Sequence, residues 1–373
     1  MKSEGIIDGN KRKRVLFLTN IPSPYRVEFF DELGKYCDLT VLYEKNRADN
    51  RQWKYVKKAN FTSVFMKGIK TGADHALCFE VLTHLKKDYD VIVVGGYSTP
   101  TGMLAIEYLK LKKIPFYLNC DGGFVKQEKK INYIIKKHFI KSATYWLSSG
   151  KETHKYLTYY GAKETRIFDY PFTSVRESEV LKEILPQKKK ETLKVELGVK
   201  EKQMIISVGQ FIHRKGFDIL IKASASLGEN VGVYIVGGTP SDEYLQLLKK
   251  HEVNNVHFIE FCDAPTLRKY YRAAECMAFP TREDIWGLVI NEALANGLPI
   301  VSSDKCIAAL ELVSDVGCIV PSEDADALCI ALQKVIENAQ AQEEMSEKAL
   351  ERAKVYTIEN MARVHMEIFD KNN

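Results

Sequence analysis

Residues 280–301 read PTREDIWGLVINEALANGLPIV, and this stretch decides the fold. An apolar run, Cys276 to Phe279, leads into an acidic loop with Glu283 and Asp284, then Gly287, then a helical pattern, then a second apolar run from Pro299. Leu288, Val289, Glu292, Ala293 and Ala295 recur at helical spacing, and Gly297 is a natural helix stop. A strand that meets a glycine at a helix start is a cradle for phosphate. The first N–H groups of the helix lack partners, the dipole there is positive, and glycine lets the backbone approach an anion. Glu292, inside the helix, can accept hydrogen bonds from a vicinal diol. Diol and diphosphate together describe a nucleotide sugar. The same pattern also fits an ordinary βαβ unit with its acids in water, so the rest of the chain has to decide.

Outward from this stretch, apolar strands alternate with helices. Upstream, strands are expected at 204–208, 231–236 and 256–259, with helices at 217–227, 244–251 and 267–274. An earlier series runs from the strand at 14–19 through strands at 39–43, 61–66, 91–94, 115–119, 145–147 and 167–170. Helices are expected after Pro24 and at 76–85, 102–111, 129–141 and 152–160. Continuous apolar strands alternating with helices imply parallel sheets covered on both faces. The fold class is therefore α/β, with two Rossmann-like, doubly wound parallel-sheet domains facing across a cleft. The expected organisation is a disordered lead (1–13), a first Rossmann-like domain (14–175), a charge-rich linker (176–202), a second Rossmann-like domain (203–355) and a C-terminal helix (356–373) packing back on the first domain.

The bulk numbers exclude several classes. The chain has 373 residues with 45% hydrophobic and 28% charged, ordinary for a globular protein of two or three domains. A net charge of +5 is too modest to argue nucleic acid, and no recognition-helix, zinc-finger or RNP-type pattern supports it. The eight cysteines are scattered without a CxxC, as expected of small core residues in a reducing compartment. The N-terminus has no apolar signal core, and no apolar run approaches the ~20 residues needed to span a bilayer. The expected location is cytoplasmic, with any membrane contact peripheral at the inner face of the plasma membrane.

A second chemical signal is VGQFIHRKG, Val208 to Gly216. A strand again meets a glycine, Gly209, and the loop ends in Arg214 and Lys215. A diphosphate needs neutralising by a metal or by such cations, Arg as a planar fork and Lys as a point charge. Cations at a helix start run against the dipole, which favours a functional reason for them.

At this point the chain resembles a family 4 retaining glycosyltransferase of the GT-B fold. The resemblance rests on G-x(4)-R-K-G-x-D from Gly209, the W-G-L-V segment at Trp286 to Val289, and EALANGLPIV from Glu292. Glu311-Leu312-Val313 and Ser322 to Leu328 continue it. The IPSPYR and Gly95-Gly96-Tyr97 segments are similar to the subset that builds bacterial surface polysaccharides. The resemblance implies that Arg214 and Lys215 hold the donor diphosphate and that Gly287 and Leu288 present main chain to phosphate or sugar. It implies that Glu292 binds the ribose, and that Gly209 and backbone at Phe261 flank the nucleotide. Asp284 stands where the family has the first Glu of an E-x(7)-E pair. Glu283 lies beside it, so either could meet the donor sugar. Gln210 replaces a common family Arg. Arg26 and Glu311 are candidates for phosphate or acceptor contact, and Asp121, where relatives carry a His, is a candidate catalytic acid or base. No cofactor and no metal are expected. Asp324-Ala325-Asp326 matches a D-x-D metal motif of another glycosyltransferase fold, but it opens an apolar-periodic helix and reads as an N-cap.

The implied function is transfer of a hexose from a UDP-sugar or related donor to a glycan hydroxyl, with a lipid-linked acceptor, in capsule, O-antigen or lipopolysaccharide synthesis. The rival readings are a nucleotide-sugar isomerase, such as a UDP-N-acetylglucosamine 2-epimerase, and a non-catalytic binding partner. Residues 129–141, KKINYIIKKHFIK, interleave lysines with Ile131, Ile134, Ile135 and Phe139. Such a helix either lies on an anionic membrane or packs its apolar face on the sheet.

Overall fold

A computed structural model describes residues 12–49 and 55–372. The expected disordered lead lies outside the described residues up to position 11. Arg12 and Lys13 are described and engaged, donating to the carbonyls of Gly34 (2.7 Å) and Phe369 (3.0 Å).

In the first part of the chain the strands are β1 (Arg14–Thr19), β2 (Asp38–Tyr43), β3 (Thr62–Phe65), β4 (Ile69–Lys70), β5 (Ala76–Leu77), β6 (Val91–Val94), β7 (Tyr117–Cys120), β8 (Tyr145–Ser148) and β9 (Ile167–Asp169). Between them run helices α1 (Pro24–Leu33), α2 (Val81–Leu85), α3 (Pro100–Leu111), α4 (Lys130–Lys141) and α5 (Lys151–Tyr159). The second part contains α6 (Gln187–Glu196), β10 (Gln203–Val208), α7 (Phe217–Ser224), β11 (Val231–Val236), α8 (Asp242–Lys250), β12 (Val256–Ile259), α9 (Ala264–Ala273) and β13 (Cys276–Phe279). It continues with α10 (Leu288–Ala295), β14 (Ile300–Ser303), α11 (Ile307–Leu312), β15 (Gly317–Val320), α12 (Ala325–Glu337), α13 (Ala339–Val355) and α14 (Ile358–Lys371).

Among the described residues there are two large parallel sheets, ordered β3-β2-β1-β6-β7-β8-β9 and β12-β11-β10-β13-β14-β15. Their inner strands are buried throughout, from Val15 to Leu18 and from Met204 to Ser207, which is why these segments read as unbroken apolar runs. In each sheet the strand order reverses once, between β1 and β6 and between β10 and β13. Loops that leave the carboxyl ends of strands at such a reversal are where open α/β sheets hold ligands.

The helix expected over 76–85 forms only from Val81. Ala76 and Leu77 instead pair antiparallel with Lys70 and Ile69 across a turn in which the Thr71 hydroxyl and His75 Nδ1 are 2.9 Å apart. Helical spacing of apolar residues could not reveal that local turn.

The chain divides into two compact units. One holds the described residues up to Asp121, Val125–Phe172 and everything from Ile358 on; the other holds Gly122–Phe124 and Thr173–Thr357. The stretch expected as a linker is structured within the second unit. Arg268 bonds Glu179 at 2.8 Å, and Lys194 of α6 forms a buried pair with Glu275 at 2.6 Å. In the first unit His365 of α14 packs against Phe29 of α1, with ring centroids 4.8 Å apart and the planes tilted by 55°. Burial lowers the His365 pKa to about 4, so the ring is neutral, and Nδ1 donates to the Met361 carbonyl at 2.8 Å.

Candidate donor site

The loops after β10 and β13 flank the strand reversal of the second sheet and are bonded to each other. The backbone N of Arg282 donates to the Arg214 carbonyl (2.8 Å), and the Thr281 hydroxyl donates to the same oxygen (2.9 Å). Gly216 makes this approach feasible. Its φ is +68°, and a Cβ there would lie 2.0 Å from the Pro280 carbonyl. The glycine of the R-K-G motif is therefore fixed by sterics.

This bracing gathers the cations around Asp284. Lys215 Nζ lies 2.7 Å from Asp284 Oδ2, and Arg214 Nη1 lies 3.4 Å from the same oxygen. Arg214 Nη1 also donates to the Glu283 carbonyl at 2.6 Å. Of the two neighbouring acids, then, Asp284 turns its carboxylate to the cations, while Glu283 contributes its main chain to them. Lys215 is the more enclosed cation, its side chain 12% exposed against 44% for Arg214. Its ammonium stands 4.7 Å from the Phe279 ring centroid, and its stem would meet a Cβ on Gly209 at 3.3 Å.

Gly287 caps α10 in the left-handed region at φ +99°, and a Cβ there would come within 2.6 Å of Cys306 Sγ. No side chain caps this helix start, and Leu288 is its first residue. The loop is braced from below: Asp284 N donates to the Lys305 carbonyl (2.7 Å) and Ala308 N to the Trp286 carbonyl (2.9 Å). Trp286 is buried and donates from Nε1 to Asn291 at 2.8 Å.

Glu292 lies five residues along α10, about 7 Å of helix rise from Gly287. The Tyr271 hydroxyl donates to its Oε2 at 3.0 Å, and the Ser174 hydroxyl reaches its Oε1 at 3.5 Å. Burial raises its pKa to about 7, assisted by the charge of Glu179 and opposed by the Tyr271 hydrogen bond. Phe261, between β12 and α9, is 80% exposed. Glu311 is half-buried on α11.

Three functional neighbours were not singled out from sequence. Arg282 grips both oxygens of Asp218 (2.7 and 2.8 Å), donates to the His213 carbonyl (2.7 Å) and pairs with Glu323, so it locks the two loops. Asp218 is the last residue of the R-K-G-x-D motif, yet nothing in the sequence couples positions so far apart. Tyr271 and Ser174 likewise come to Glu292 from distant elements.

In the first unit Arg26 is engaged by its own surroundings. Its guanidinium is buried, pairs with Asp121, and lies 5.7 to 5.8 Å from the ring centroids of Phe17, Tyr25 and Phe172. Asp121 also accepts from Asn119 Nδ2 (2.7 Å) and the Tyr170 hydroxyl (2.8 Å). A carboxylate held by three donors is a counter-ion for a buried cation, and Arg26 does not reach outward toward phosphate or acceptor. Arg26 and Asp121 belong to the first unit, the cation loops to the second.

Asp324 caps α12, accepting from Ala327 N at 2.8 Å, as its position before an apolar helix requires. Among the described residues no group of three or more His, Cys, Asp or Glu could hold a metal ion, and no helix is long and apolar enough to cross a membrane. On α4, Ile140 is buried, whereas Ile131, Ile134 and Ile135 are 60%, 51% and 41% exposed beside the lysines.

Residues 189–352 match the family described as Glycosyl transferases group 1. Over 127 residues the chain is 32% identical to the lipopolysaccharide glucosyltransferase WaaG of Escherichia coli, covering 32% of this chain and 33% of that protein. Over 222 residues it is 25% identical to a D-inositol 3-phosphate glycosyltransferase of Kribbella flavida, covering 55% and 51%. The matched segments thus span about a third to a half of these relatives' length. The fold is similar to that of Anabaena HepE in complex with UDP, with a TM-score of 0.77 at 16% identity, over 96% of this chain and 100% of that one. The two Rossmann-like halves are a GT-B fold. Residues 189–352, the part of the chain that matches the group 1 model, carry both braced loops.

Proposed function

We propose that the protein is a retaining glycosyltransferase that moves a hexose from a nucleotide diphosphate sugar, a UDP-sugar first among the candidates, to a hydroxyl of a glycan. The observation that carries this reading is the gathering of Arg214 and Lys215 at Asp284, on loops that flank the strand reversal and lead into the uncapped start of α10. Cations and helix N–H groups of this kind stabilise the diphosphate as it leaves. The anomeric C–O bond to the diphosphate breaks, the acceptor oxygen bonds to the same face of the sugar, and the acceptor proton passes to a leaving phosphate oxygen. No protein nucleophile is assigned. Asp284 positions the cations, and Glu292 accepts the ribose hydroxyls. UDP is the nucleotide to test first because HepE, of the same fold, was solved with it.

A surface-polysaccharide role with a lipid-linked acceptor, at the cytoplasmic face of the membrane, is supported by the similarity to WaaG and by α4. Its exposed isoleucines beside lysines suit an anionic bilayer. Cosedimentation with liposomes should require anionic lipid and fail at high salt; salt-insensitive or absent binding removes this part. The transfer reading is tested by a donor screen. A nucleoside diphosphate sugar should raise the melting temperature by mass action and be consumed when a glycan acceptor is added. Donor consumed without acceptor would point to an isomerase, and binding without turnover to a scaffold.

A further inference from the structure

A cavity of about 270 Å³ lies in the first unit, beyond the carboxyl ends of β2 and β3. Glu44, the residue after β2, lines it and is 3% exposed. Its carboxylate is held from two sides: Oε1 accepts from the Thr99 hydroxyl at 2.5 Å, and Oε2 from the backbone N of Ala76 at 3.1 Å. Thr99 caps α3, and Ala76 belongs to the β4–β5 hairpin and is itself a wall residue. Burying a carboxylate is costly, and each of its oxygens has room for a further donor. The donor-site chemistry makes no use of it.

The charges around the cavity say what kind of ligand suits it. Lys45 and Lys70 are in the wall, but both are spent on one acid. Lys45 Nζ bonds Asp49 Oδ1 (3.0 Å) and the Ala73 carbonyl (2.8 Å), and Lys70 Nζ bonds Asp49 Oδ2 (2.5 Å). Asp74 adds negative charge near Glu44. Three acids, Glu44, Asp49 and Asp74, thus stand against two lysines, whereas at the donor loops two cations face the single carboxylate of Asp284, so an anionic ligand is disfavoured here. A neutral, hydroxyl-rich ligand finds acceptor oxygens at Glu44 and an aromatic face at Phe65, which is 38% exposed. Asn46, exposed and without a hydrogen bond among the described residues, offers an amide that both donates and accepts.

We propose that this cavity is a subsite for a neutral sugar unit, with Glu44 and Asn46 recognising its hydroxyls and Phe65 packing on its C–H face. As an acceptor subsite it rests on the transferase reading above. The test is saturation-transfer NMR and calorimetry on the full chain with methyl α-D-glucopyranoside, methyl α-D-galactopyranoside and maltose, and with glucose 6-phosphate as the anionic counterpart. At least one neutral glycoside should bind. Asn46→Ala, at an exposed position, and Glu44→Gln should each weaken it roughly fivefold or more, the size of one lost hydrogen bond. Glucose 6-phosphate should bind less tightly than the neutral sugars. Absence of glycoside binding, unchanged affinity in Asn46→Ala, or preference for the phosphate overturns the proposal. UDP titrated into the same samples reads the donor site separately. UDP binding without glycoside binding defeats the subsite, whereas no UDP binding defeats the transferase reading.

Discussion

Each unit places a cation–carboxylate arrangement at the carboxyl ends of its sheet, after β1 and β7 in the first and after β10 and β13 in the second, and the two differ in what surrounds them. Arg26 and Asp121 are enclosed by Phe17, Tyr25 and Phe172, with Tyr170 and Asn119 completing the carboxylate's partners. Arg214 and Lys215 share the single oxygen Asp284 Oδ2, and the Arg214 side chain is 44% exposed. The same topology thus encloses the cation in one unit, where the Arg26 side chain is 6% and that of Asp121 22% exposed, and leaves a partly open cation pair in the other. The carboxyl end of a sheet offers a position for a ligand; whether side chains fill it decides what becomes of that position.

The sharpest way to break this comparison is to remove one cation from each. Arg26→Ala strands Asp121 without its counter-charge and should cost about 3–5 kcal/mol of stability by urea denaturation. Arg214→Ala, at the exposed pair, should change stability by about 0.5 kcal/mol or less. Equal losses would mean that the two arrangements do the same job.

Each unit also holds a glutamate whose pKa desolvation raises to about 7, Glu44 buried in the first and Glu292 half-buried in the second. Glu44 sees the Thr99 hydroxyl, Ala76 N and Asp74; Glu292 sees Tyr271, Ser174, Glu179 and Arg268. The folded protein holds protons there that the unfolded chain has released, so stability falls as pH rises from about 4.5 to 7. Each group contributes at most about 3 kcal/mol. Glu44→Gln should flatten the pH dependence of the denaturation midpoint over this window, and an unchanged slope would show that Glu44 does not titrate there. Ribose recognition by Glu292 needs the charged form, so nucleotide affinity should weaken as pH falls below about 7.

Smaller still, Asp324→Ala removes an N-cap and should cost about 1 kcal/mol of stability while leaving transfer unchanged. A loss of transfer restored by divalent metal would instead make Asp324 a ligand and give the second unit a different chemistry.

Much of this was legible in the chain because the governing interactions are local. Val231–Val236 and Cys276–Phe279 are continuous apolar runs closed by turn residues, and they form strands with those bounds. The loops 209–216 and 280–287 announce themselves by glycines, and Gly216 and Gly287 do take positive φ. What stayed hidden depends on distance along the chain. Arg26 looked like a helix-start cation free to reach a ligand until Asp121, Tyr170 and Phe172 closed around it. Nothing local marks Arg282, which ties Asp218 to Glu323. The isoleucines of α4 fit a core face or a membrane face equally well by periodicity, and it took the fold to show three of them exposed.

The central claim is that the cations at Asp284 hold a nucleotide diphosphate, and calorimetric titration of UDP into the wild type and Lys215→Ala tests it most directly. The account predicts binding by the wild type and an affinity about 30-fold lower in the variant, near 2 kcal/mol for one charge-assisted contact, with similar melting temperatures. Equal affinity in both proteins would contradict it.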